Sequence, residues 1–151
     1  MSFTITVPDN YGYVVLSSVI GHFGANMVLS GRVMGARKKF NVQYPNLYAV
    51  PGYHKDADAF NRVQRGHQNV LEGMPLFLCM GLVVGLKHPI TSIVLNVVHC
   101  IGCVLYQVGY ADTTLDAKTA RFKKGGPLKP IAELGILVAS IKVIGNWNKW
   151  W

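Results

Sequence analysis

Arg62, Arg65, Asn69 and Glu72 follow one another at intervals of three, four and three residues. At about 100° per residue that spacing places all four on one stripe of a single helix. Two guanidinium groups, an amide and a carboxylate on one face can bind a small zwitterion. Arginine takes a carboxylate bidentately, a carboxylate accepts from an ammonium, and an amide serves a peptide group. Tyr106 and Tyr110, four residues apart, share a face of another helix and add two phenols at the same depth. The same residues also admit a simpler reading. Glu72 can pair with Arg65, or with a cation of a neighbouring helix, only to hold helices together, and tyrosines at this depth serve as interface anchors.

The elements that carry these residues are apolar. The chain has 151 residues, of which 50% are hydrophobic and only 15% charged, with a mean hydropathy of +0.26. Soluble domains carry about 25% charged residues. The length gives one domain, 1–151, and excludes a multidomain enzyme. From Asn10 to Gly31 there are 22 residues without a charge, and from His88 to Ala111 another 24. Each exceeds the roughly 20 that a helix needs to cross the bilayer core. A second block, Gly66 to Leu86, contains Glu72 and Pro75, and Pro75 is expected to kink it. A fourth, about Ile131 to Trp147, is interrupted by Glu133 and Lys142, which are expected to reach the headgroups from near its ends. Trp147, Trp150 and Trp151 mark an interfacial belt. The expected fold is therefore all-α, a four-helix transmembrane bundle with helices at about 10–31, 66–86, 88–111 and 131–147. Met1 to Asn10 has no Lys or Arg, so the first helix is expected to be retained rather than cleaved as a signal peptide.

The net charge of +8, from 15 basic and 7 acidic residues, is accounted for by topology. Seven of the basic residues lie from Arg32 to Arg65 and five from Lys118 to Lys129. The positive-inside rule places these two connections, loops one and three, in the cytosol. Contact with anionic membrane lipids is a secondary effect of the same charges, and no nucleic-acid partner is expected. Cys79, Cys100 and Cys103 lie in apolar stretches and read as buried thiols, and no metal site is expected. His22, His88 and His99 stand isolated. His67 lies across its helix from the arginine stripe, and Asn26 is expected to form an interhelical hydrogen bond.

The run from Phe60 to Glu72, Phe-Asn-Arg-Val-Gln-Arg-Gly-His-Gln-Asn-Val-Leu-Glu, followed by Gly73-Met-Pro75, resembles the signature of the MAPEG family, the membrane-associated proteins of eicosanoid and glutathione metabolism. Collinear similarity continues at Tyr11-Gly-Tyr-Val-Val-Leu, Ala36-Arg-Lys-Lys-Phe with Tyr44-Pro45, Lys87-His-Pro89 and Gly109-Tyr110. The resemblance implies a four-helix protomer, a homotrimer, and glutathione as co-substrate between subunits near the cytosolic face. It also implies roles residue by residue. Arg37 and Arg65 would hold glutathione carboxylates, Asn69 and Glu72 its glutamyl end, and Tyr106 and Tyr110 its peptide or carboxylate groups. Lys38 stands where some relatives have a second arginine.

The family uses an arginine at the start of its fourth helix to keep the glutathione thiol ionised. Lowering a thiol from about 8.5 to about 6.5 corresponds to about 2.7 kcal/mol. Here a longer connection follows Tyr110, and Arg121 is the candidate, with Lys118 as runner-up. Gly73 replaces a tyrosine of the family's leukotriene C synthase, so any leukotriene C synthesis would be a side activity. The implied function is a glutathione transferase of the endoplasmic reticulum with peroxidase activity toward lipid hydroperoxides and lipophilic electrophiles. The alternative is a non-catalytic lipid-binding partner, as the 5-lipoxygenase-activating member is.

Overall fold

A run of residues that avoids charge yet recurs in small clusters of Gly, Ser and Asn packs as close helices, and this chain does so four times. The structure, a computed structural model, describes residues 6–150. Trp151 lies outside the described residues. Among these residues there is no strand; an isolated bridge joins Pro51 and His54 in loop one. The long helices are α1 (Tyr11–Phe40), α2 (Ala57–Gly85), α3 (Pro89–Tyr110) and α4 (Leu128–Asn148), and a single turn, Ala117–Ala120, interrupts loop three. The first three are long and apolar enough to cross a membrane. At 1.5 Å per residue the 21-residue α4 also has the length, but it carries Lys129, Glu133 and Lys142.

Each helix begins or ends close to the expected point, with two extensions. α1 continues nine residues past Gly31, through Arg32 and Arg37 to Lys39, and stops at Asn41, whose left-handed φ of 55° ends the helix. α2 starts at Ala57, nine residues before Gly66, and continues through Pro75 without interruption. Apolar content marks the hydrocarbon core. Arg, Lys, Gln and Ala are good helix formers, so the helices run on past their apolar stretches.

α1 contains a π-helical turn from Leu16 to Gly21. Its buried residues are Val14, Ser18, His22, Ala25, Leu29, Val33 and Ala36. The opening steps of four residues match the wider turn, and the later steps of three, four, four and three are ordinary α-helix. Close approach elsewhere depends on two glycines. A Cβ on Gly66 would meet Gln107 Cγ at 2.9 Å, and one on Gly102 would collide with the backbone of Leu128 and Lys129. Gly102 thus lets the first turn of α4 lie directly on α3. Large apolar residues face outward on all four helices, among them Phe23, Met27, Leu76, Val94, Leu134 and Val138. On the three helices long and apolar enough to cross a membrane, such outward faces suit contact with lipid.

Candidate functional site

The predicted stripe exists on α2. Arg65 Nη1 donates to Glu72 Oε1 at 2.7 Å, with side chains 42% and 50% exposed. Asn69 lies half-buried between them along the helix. Loop one is pinned above this stripe. Asn61 accepts from the Ala49 amide at 2.7 Å and donates to the Ala49 carbonyl at 3.0 Å, and the Tyr48 hydroxyl donates to Gln68 Oε1. Loop three is pinned from the other side. Arg62 donates to the carbonyls of Leu115 at 2.8 Å and Asp112 at 3.1 Å while its Nε pairs with Asp58 at 2.8 Å.

Between these loops lies a cavity of about 350 Å³ lined by Tyr48, Asp58, Asn61, Arg62, Arg65, Tyr110 and Ala117. This is within the size range of small-molecule sites. Tyr110 connects it to loop three. The Arg121 guanidinium carbon sits 6.0 Å from the Tyr110 ring and 5.3 Å from Phe122, and Arg121 Nε is buried with no hydrogen-bond partner. A guanidinium held by aromatic faces, with a donor unspent, can serve an anionic ligand atom. Asp112 anchors the same loop through Lys124 at 2.6 Å. Lys124 and the Thr114 hydroxyl and amide hold its carboxyl well below the usual carboxylate range.

The structure therefore brings Arg65, Tyr110 and Arg121 around one region, with Glu72 paired to Arg65. It does not bring Arg37 there. Arg37 donates to the Asn46 carbonyl at 2.9 Å and stacks on Tyr44 at 4.4 Å, holding loop one. Tyr106 is buried rather than lining the cavity, its ring centroid 6.3 Å from that of Tyr110. Lys38 and Lys118 are exposed. Sequence reasoning left Tyr48 and Asn61 out of the site. Their signal would have been loop one folding back over α2, which no local pattern carries.

It also missed a polar cluster inside the bundle. Glu133 and Lys142 were both expected at headgroups, but Glu133 Oε1 accepts from Lys129 Nζ at 2.7 Å and stands 3.6 Å from His99 Nε2. His99 Nδ1 lies 2.9 Å from His22 Nε2, and His22 Nδ1 lies 2.8 Å from the Ser18 carbonyl oxygen. Lys129 in turn sits over the Tyr106 ring at 5.3 Å. The two histidines, isolated in sequence, meet because α1 and α3 are adjacent. Below them Asn96 donates to Ser18 Oγ at 2.8 Å, and Ser92 donates to the Gly81 carbonyl at 2.6 Å. Asn26 does form the expected interhelical bond, 2.8 Å from His67 Nε2. Among the three thiols, all expected to be buried, only Cys103 is fully buried, whereas Cys100 is half-buried and Cys79 is exposed. No group of His, Cys, Asp and Glu among the described residues could hold a metal ion.

Apolar helices with outward hydrophobic faces, a polar interior and a tyrosine-lined cavity with two arginines at one end describe a helical membrane protein with a cavity of small-molecule size. A family model, that of the MAPEG family, matches residues 15–126, and the chain belongs to the MAPEG family. That family covers glutathione transferases and related members.

Proposed function

We propose that this protein is a membrane-bound glutathione transferase with glutathione-dependent peroxidase activity, of the microsomal glutathione transferase 3 branch. The observation that carries this reading is the cavity in which Arg65 and Tyr110 meet, with Arg121 against the same tyrosine. All four long helices cross the bilayer, loops one and three face the cytosol, and the membrane is the endoplasmic reticulum. Three protomers assemble, and glutathione lies between neighbours. Its carboxylates take Arg65 and the neighbour's copy of Arg37, its glutamyl end reaches Asn69 and Glu72, and Tyr110 serves its peptide or carboxylate groups, with buried Tyr106 packed behind it.

In this mechanism Arg121 stabilises the glutathione thiolate. The thiolate forms a carbon–sulfur bond with a lipophilic electrophile and displaces its leaving group. With a lipid hydroperoxide it attacks the outer oxygen, the oxygen–oxygen bond breaks, and the alkoxide takes a proton. A second glutathione then attacks the oxidised sulfur, giving the disulfide and water. Two thiols and one hydroperoxide thus yield one alcohol, one disulfide and one water.

The test is the ultraviolet thiolate absorbance of glutathione titrated with detergent-solubilised protein, beside Arg121→Ala. A band at neutral pH that vanishes in the variant supports both class and residue. A band that survives keeps the class and moves the role to Lys118 or Lys38. No binding and no band, in folded trimeric protein, leaves the lipid-binding partner as the better account.

A further inference from the structure

Arg32 is held by a side chain from the centre of the bundle. Its Nε donates to Gln107 Oε1 at 2.9 Å, and Gln107, wholly buried on α3, donates in turn to the carbonyls of Leu29 at 3.3 Å and Val63 at 3.2 Å. The tether fixes the guanidinium and leaves its terminal nitrogens without a protein partner. Arg32 lines a crevice of about 510 Å³ with Ala36 and Lys39 of α1, Ala59 and Val63 of α2, and Ala111 at the end of α3. The Lys39 ammonium stands 5.0 Å from the Phe40 ring centroid, and among the described residues neither cation has a carboxylate partner. Asp56 is the one acid among the lining residues, so two cations and one acid leave the crevice a single positive charge.

A second hollow, of about 440 Å³ and apolar, lies between the same two helices, with Gly21, Gly24 and Val28 on α1 and Ile101, Val104 and Leu105 on α3. The two hollows are collinear. Val28, Arg32, Ala36 and Lys39 succeed one another at four, four and three residues on one stripe of α1, and Val104 and Ala111 stand two turns apart on α3. Both helices are long and apolar enough to cross a membrane. Arg37, which the proposed assembly turns toward a neighbour, lies about 140° round α1 from Arg32, so the stripe stays clear of that contact.

We propose that the two hollows form one site for an anionic phospholipid, with its phosphodiester at Arg32 and Lys39 and an acyl chain along the groove between α1 and α3. Arginine takes phosphate oxygens bidentately, and a lipid with one net negative charge cancels the charge of the crevice. Phosphatidylcholine neutralises its own phosphate and would bring a quaternary ammonium against the same two cations. The site uses neither glutathione nor Arg121 and stands apart from the transferase reading.

The experiment is native mass spectrometry of the full chain in detergent, with phosphatidylglycerol or phosphatidylcholine of the same acyl chains added at equal concentration. Phosphatidylglycerol is expected to be retained about tenfold more, the order of one hydrogen bond to a charged group. Arg32→Gln and Lys39→Gln are each expected to cut that retention about tenfold. Lys87→Gln removes the same charge at the opposite end of the bundle and is expected to leave it unchanged. Gly24→Leu is expected to cut it as well; a Cβ there meets nothing within 4 Å, so the added side chain occupies the groove without a clash. Lys39→Gln and Gly24→Leu break no hydrogen bond, and they carry the test if Arg32→Gln, which strips Gln107 of its donor, does not fold. Equal retention of the two lipids, or undiminished retention in folded Lys39→Gln and Gly24→Leu, overturns the proposal. Displacement of the lipid by an equal concentration of inorganic phosphate overturns it in favour of a free anion. A Gly24→Leu variant that changes the mass of the assembly and not the lipid retained overturns it in favour of a second copy of the chain. Thiolate absorbance on the same samples keeps the two readings apart: a band with unselective retention sinks the lipid site alone, and selective retention without a band sinks the transferase alone.

Discussion

Two ion pairs of the same length, 2.7 Å, have opposite prospects. Arg65 and Glu72 meet on the flank of α2 with side chains 42% and 50% exposed, whereas Lys129 and Glu133 meet against α3 with 8% and 33%. The outer pair has little desolvation to recover and can exchange its partner for a ligand. The inner pair is fixed, since either charge alone would be stranded away from water. Distance alone therefore says nothing about which pair binds and which one builds.

The largest effect should come from stranding the inner acid. Lys129→Met is expected to destabilise the bundle by about 3–5 kcal/mol, read by reversible unfolding in mixed detergent micelles, and Lys129→Met with Glu133→Leu to recover most of that loss. Failure of the double variant to recover would mean that the cluster does more than balance charge. Arg65→Ala is expected to move stability by no more than about 1 kcal/mol. It should nonetheless weaken glutathione binding by roughly tenfold to a hundredfold, measured by calorimetry, if the outer pair is the exchangeable one. A stability loss as large as that of Lys129→Met would erase the distinction.

The smallest effect is at the loop that carries Arg121. Folding holds Asp112 below the usual carboxylate range, so its pairing with Lys124 favours the folded loop above that range and fades as pH falls below about 4 toward the lowered value. Trypsin cleavage after Lys123 and Lys124 cannot be followed at such acidity, so hydrogen exchange of residues 112–124 is the readout. Protection should decline over that interval and be insensitive to it in Asp112→Asn.

The four long helices were legible in the sequence as long runs poor in charge, and the α2 stripe was legible because its members share one helix. What escaped detection spans helices. His22, His99 and Glu133 come from α1, α3 and α4, and no one-dimensional period connects them. The ends of α1 and α2 escaped for a different reason, since their basic turns are helical without being apolar. Arg37 was legible as a cation but not as a clamp on loop one, because its partners are backbone carbonyls that every sequence has.

The π-helical turn at Leu16–Gly21 has a bearing on how this chain tolerates change in length. It holds slack: a wide turn can give up a residue and close into an ordinary one with its hydrogen bonding intact. The shortened helix would then set Val14 seven residues from His22, about 700° or nearly two full turns, and so keep both on one face. A deletion there would leave the rod unbroken and its near end still aimed at the core, whereas the same deletion in the ordinary turns from His22 onward would misaim it.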